Sequence, residues 1–108
     1  MLIAVAGPYS AETAEQRGLN LEAMNKTAAL VMKRGHIPVI GVNAALPVVE
    51  WLDADADKYE AMMTISLELV DRCDAILVIG ESRGVTRERD LIRSKGLPVY
   101  EDINELPA

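Results

Sequence analysis

Two stretches, Leu2 to Ala6 (LIAVA) and Ala75 to Ile79 (AILVI), are apolar at every position. A strand with one wet face alternates polar and apolar residues. These do not, so each must be covered by other elements on both faces, the condition of a parallel sheet held between helical layers. Shorter runs at Ile37 to Ile40 and Leu97 to Tyr100 read as two further strands, with Pro38 placing its strand near a sheet edge or strand start. Between them the spacing turns helical. Leu21, Met24, Ala28 and Val31 recur on one face before Lys33, Arg34 and Gly35 close the segment. Tyr59, Met63, Ser66 and Val70 mark a second helix over Lys58 to Val70, and Val85 to Ser94 a third, closed by Lys95 and Gly96. The reading is one α/β domain over residues 1–108: a three-layer, flavodoxin- or Rossmann-like sandwich with about four or five parallel strands and right-handed crossovers. Ala11 to Gly18 is either a first helical turn or a mobile loop, and Val42 to Leu52 either a long loop or a short helix. Ile103 to Leu106 reads as a short terminal turn.

Charge and cysteine content narrow the function classes. The net charge of −6, from 17 acidic and 11 basic residues, argues against a nucleic-acid polymer as partner, which needs a basic stripe to neutralise phosphates. Small anions remain compatible with it, because a local cluster can oppose the global sign. The single cysteine, Cys73, excludes an internal disulfide and leaves no thiolate pair for zinc, as suits a reducing cytoplasm. It reads as a buried small hydrophobe. The apolar opening is short and lacks a basic leader, so no signal peptide is expected, and no stretch approaches the length of a membrane span. Asp53, Asp55 and Asp57 alternate like some calcium loops, but no glycine or bidentate glutamate follows. A solvated cap for the helix at Lys58 is the better reading, and neither a metal nor a cofactor is called for.

In open parallel sheets ligands sit beyond the carboxyl ends of the strands. That rule collects Gly7 to Ser10, Gly41 to Leu46 with Asn43, Gly80 to Gly84, and the tail after Tyr100. His36 and Asp74 fall at the opposite, amino end. The densest chemistry is in Glu81 to Glu88 (ESRGVTRE). Glu88 shares a helical face with Val85 and Ile92, toward the sheet, where a carboxylate needs a partner or a pocket. The helix N-terminus should favour its ionised form, suited to attack on an electrophilic carbon. An ordinary helix glutamate fits the spacing as well. Ser82 and Gly84 fit an anion or hydroxyl cradle, and equally an N-cap and turn. Arg83, Arg87 and Arg89 oppose the helix dipole, which a negative ligand would compensate; a solvated face is the plainer account. Tyr9, beside Pro8, is placed to reach a substrate or to orient Glu88, unless it only packs.

GPYS after the first strand, CDAILVIG, SRGVTRE and GLPVY together resemble the nucleoside 2-deoxyribosyltransferase-like superfamily over most of the chain. The similarity is strongest to a branch of small proteins with a GPYS-like opening, and extends to a deoxynucleoside 5'-monophosphate N-glycosidase. The superfamily's signature of serine or aspartate, glycine and glutamate is matched by Ser82, Gly84 and Glu88. The resemblance implies Glu88 as the nucleophile that attacks C1' of the deoxyribose, expelling the base, before water or a second base accepts the sugar. It implies that Tyr9 helps position Glu88 and that Ser82 and nearby amides hold the sugar or its 5'-phosphate. Gly7, Ser10, Asn43, Arg83 and Gly84 complete the expected substrate-binding set, although Arg83 lies outside the family motif. A homodimer or higher homo-oligomer is implied as well, since related enzymes complete each site from a neighbouring subunit.

One position departs from that pattern. The transferases carry an aspartate eight residues ahead of the position of Asp74, where it helps protonate the leaving base; here the residue is Ser66. A serine hydroxyl at its ordinary pKa is a poor general acid. Another acidic position of the transferases is Ser82, a change shared with the monophosphate glycosidase and one that makes room for phosphate. Hydrolysis, or a phosphate-bearing substrate, is therefore preferred to base exchange between free nucleosides. The competing expectations are a nucleotide-binding or sensing module that keeps the crevice without the chemistry, and an interaction domain with an empty crevice.

Overall fold

The computed structural model describes residues 1–108. Its elements are β1 (Leu2–Ala6), α1 (Ala14–Lys33), β2 (Ile37–Val39), α2 (Gly41–Val49), α3 (Lys58–Asp71), β3 (Ala75–Val78), α4 (Arg83–Ser94), β4 (Val99–Tyr100) and a 3-10 turn at Ile103–Glu105. All pairings are parallel, in the order β2-β1-β3-β4. The three-layer sandwich is thus present with four strands.

The two uniformly apolar runs are the two central strands, as burial on both faces requires. The faces separate by the two-residue repeat of the strand. Ile3, Val5, Ala75 and Leu77 join Met24 and Val31 of α1 on one side. Ala4, Ala6, Ile76 and Val78 join Val70 of α3 and Val85 and Ile92 of α4 on the other. The chain moves from β1 to β2 in one direction and then doubles back to β3 and β4. Right-handed crossovers put helices on opposite faces for opposite directions. The resulting switch point lies between the carboxyl ends of β1 and β3, where Gly7 to Ser10 and Gly80 to Ser82 leave the sheet.

Local signals set most boundaries. Thr13 caps α1 by accepting from Gln16 N, Asp57 caps α3 by accepting from Glu60 N, and Ser82 caps α4 by accepting from Val85 N. Ala11 to Gly18 divides at Thr13, so most of it is the first turns of α1. Val42 to Leu52 is mainly helix: α2 starts at Gly41 and tolerates Pro47 near its end, packing Val42, Ala45 and Val49 into the core. Its apolar positions recur over barely two turns, too few for a clear period. Pro38 lies in the edge strand β2. Cys73 is buried, and burial pushes its thiol up to about 11. At the amino end, Asp74 Oδ2 accepts from Leu2 N at 2.8 Å, and His36 Nε2 lies 2.6 Å from the Pro107 carbonyl. No helix is long and apolar enough to cross a membrane.

Candidate functional site at the switch point

The two loops at the switch point meet around a small cleft of about 110 Å³. Gly7, Tyr9 and Ser10 line it from the first loop; Ser82, Arg83 and Gly84 from the start of α4; Tyr59 and Met62 from α3. A wider cleft of about 490 Å³ shares Tyr9, Ser10, Tyr59 and Met62 and extends over Leu46, Val49 and Glu50 of α2, with Arg17 and Lys58 at its rim. The second volume is within the range of about 300–1,000 Å³ usual for small-molecule sites. A larger groove of about 640 Å³ runs between the outer faces of α3 and α4. It lies away from the strand ends, and two of its acids, Glu68 and Asp71, are already paired with Arg72 and Lys95.

Six of the eight expected site residues therefore border one cleft. Asn43 does not. It is on the exposed side of α2, where its Nδ2 donates to Asn25 Oδ1 of α1 at 2.7 Å, because the chain turns helical directly after β2 instead of looping over the sheet. Glu88 is not a lining residue of either cleft. It is one helical turn beyond Gly84, on the same face, and only 7% exposed.

At Glu88 the carboxyl makes one protein hydrogen bond. Ser66 Oγ, fully buried on α3, donates to Oε1 at 3.1 Å. Oε2 has no partner and is not among the sealed, unpartnered side-chain atoms, which are Arg34 Nε and Tyr59 Oη. Burial pushes the Glu88 pKa up to about 7, against the opposing effect of the Ser66 hydrogen bond. The expected help from the helix dipole is weak, because α4 begins at Arg83 and Glu88 is past its first turn. Desolvation wins.

Two further contacts bear on Glu88. Tyr9 does not hold Glu88; its backbone carbonyl accepts from Asn20 Nδ2 at 3.0 Å, and its ring packs at the edge of the core. Ser66 is the residue that touches the carboxylate. The arginines at the start of α4 are compensated within the protein. Arg87 meets both oxygens of Glu60 at 3.2 and 2.8 Å, and Arg89 meets Glu81 at 2.7 and 3.0 Å. Arg83 is held loosely, 3.9 Å from Glu60 and 4.5 Å above the Tyr59 ring. Its side chain is 76% exposed, and it is the one cation lining the smaller cleft.

Sequence reasoning missed Tyr59 and Met62 as cleft walls and Ser66 as the partner of Glu88. One signal was available: Ser66 falls on the same helical face as Met63 and Val70, and a buried hydroxyl must find an acceptor.

A four-stranded parallel sheet with a loop-lined crevice at its switch point defines a flavodoxin-like α/β domain with a candidate small-molecule site. The chain belongs to a family described as a domain of unknown function (DUF4406), whose model matches residues 1–101. No curated protein matches it.

Proposed function

We propose that this domain cleaves or transfers at the N-glycosidic bond of a deoxynucleoside or deoxynucleoside monophosphate, with Glu88 as nucleophile. The observation that carries the reading is the state of the Glu88 carboxyl: buried, held at Oε1 by Ser66, and unpartnered but not sealed at Oε2. A nucleophilic carboxylate needs one oxygen free and little water around it. In the first step Oε2 bonds to C1' as the C1'–N bond breaks, and the electron pair leaves with the base, which takes a proton from solvent or a neighbouring acid. In the second, water or another base attacks C1', releases the Glu88 carboxylate and gives up a proton.

The wider cleft supplies room for the base between Tyr9 and Tyr59, and Ser82 and Arg83 border the smaller cleft where sugar or phosphate would lie. The motif resemblance supports the same assignment and adds the expectation of a homo-oligomer; the single cysteine suits the cytoplasm. Hydrolysis and phosphorylated substrates are favoured over base exchange.

A second reading, a nucleotide-binding or sensing module, has its own support. Glu88 lines neither cleft, and Ser66 stands where the resemblance expects an acid. One experiment separates the two. Deoxynucleosides and their monophosphates are incubated with the protein, with and without an acceptor base, and free base is followed by liquid chromatography. The enzyme reading expects base release that E88Q abolishes while the circular-dichroism spectrum is retained. Turnover unchanged in E88Q ends the proposal. Ligand-dependent thermal stabilisation without base release supports the binding module.

A further inference from the structure

The other helical serine and threonine hydroxyls turn back on their own segment: Thr27 Oγ1 donates to Ala23 O at 3.0 Å, Thr64 Oγ1 to Glu60 O at 2.8 Å, Thr86 Oγ1 to Ser82 O at 3.1 Å and Ser94 Oγ to Leu91 O at 2.7 Å. Ser66 does not. Fully buried, it reaches across from α3 to α4 and donates to Glu88. Its position is fixed from behind by α2, because a Cβ on Gly41 would lie 1.9 Å from Ser66 Oγ and 2.8 Å from its Cα. Three helices thus converge on one hydroxyl. The pair lies one turn below the cleft, since Ser66 follows the lining residue Met62 by four positions and Glu88 follows Gly84 by four.

We propose that Ser66 is a positioning residue for Glu88, fixing Oε1 so that Oε2 is presented toward the cleft, with the missing side chain of Gly41 providing the space that Ser66 occupies. The proposal rests on the reading of Glu88 as nucleophile and gives the serine at the expected acid position a different task. It orients the nucleophile; it does not protonate the leaving base.

No other group competes for this role. Cys73, just past α3, has its thiol pushed up to about 11, chiefly by burial and then by the Asp74 and Glu88 charges. On α4, Arg87 and Arg89 are engaged with Glu60 and Glu81. The strands beneath α4 offer only Ala4, Ala6, Ile76 and Val78. A hydrogen bond to the ionised form favours that form, so removing the hydroxyl should make Glu88 harder to ionise.

The test follows the Glu88 carboxyl carbon by NMR in protein labelled with 13C-glutamate, assigned by its loss in E88Q. The wild type should titrate near 7. In S66A the midpoint should rise by about one pH unit, the usual scale of one hydrogen bond to a charge. G41A, which displaces the hydroxyl without deleting it, should move the midpoint the same way. An unchanged midpoint in folded S66A overturns the proposal, whether or not G41A folds. Where base release is measurable, the acid limb of its pH profile should rise with the titration in S66A. A shifted titration with no base release by the wild type upholds the Ser66 assignment and removes only the glycosidic reading.

Discussion

Gly41 and Ser66 stand so close that no other residue type fits at position 41 without displacing the serine. A Cβ built there falls 2.6 Å from the Ser66 Cβ, below any ordinary contact, and the α3 backbone at Ser66 Cα is also within 2.8 Å. The glycine opens α2 at the carboxyl end of β2, so the docking of α2 against α3 depends on it.

The first prediction follows from that contact. Forcing atoms into a packed site destabilises by about 1–3 kcal/mol. G41A should lower the urea midpoint accordingly. G41A combined with S66G should lose less than the two single variants added together, because the contacts to Oγ and Cβ vanish while the contact to Cα stays. Neighbouring sites of this kind are non-additive. Simple addition of the two single effects would show that the chain relaxes around residue 41 by another route.

A pH dependence of stability follows from Glu88. Its pKa in the folded chain is about 7 against an ordinary 4.5, so between those values the folded state holds a proton that the unfolded state has released. Unfolding is then opposed most below the lower value, and the contribution is lost as pH rises through the upper one. At about 1.4 kcal/mol per unit, the full difference is about 3 kcal/mol. Thermal unfolding should therefore show a melting temperature that falls from pH 5 to pH 8. The slope should flatten in E88Q, whose amide does not titrate. Equal slopes in both proteins would place the dependence elsewhere.

Cys73 yields a third expectation. It is 2% exposed, its Sγ lies 3.5 Å from the Leu69 carbonyl, and its thiol is pushed up to about 11, chiefly by burial. The thiolate is the reactive form. A disulfide-exchange reagent at pH 8 should leave the folded protein unmodified and react fully in denaturant. Rapid reaction under native conditions would show that the end of α3 opens readily.

Much of the fold was legible in the chain because burial on two faces leaves a mark that needs no partner to be read. Leu2 to Ala6 and Ala75 to Val78 are apolar throughout, and they are the central strands. Asp57 and Ser82, read as helix caps, start α3 and α4 through contacts within three residues, so their roles are written locally. The α2 segment was not legible in the same way. Its two turns, interrupted near the end by Pro47, carry too few repeats to separate a helix from a loop, and its packing comes from α3.

The candidate site divides along the same line. That Glu88 shares a face with Val85 and Ile92 was read from helical spacing, which an ordinary helix glutamate fitted as well; its burial was decided by the packing of α4. That its partner is Ser66, 22 residues away, was decided only when α3 and α4 came together. The arginines at 83, 87 and 89 looked unbalanced in the linear order, since the dipole of their own helix opposes them; Glu60, on another helix, and Glu81, at the end of the loop, supply the balance. Asn43 moved the other way, from an expected loop to a helix face bonded to Asn25. Periodicity fixes which way a side chain points relative to its own element. Which group it meets there depends on the angle and separation of elements distant in the chain, and those are set by packing.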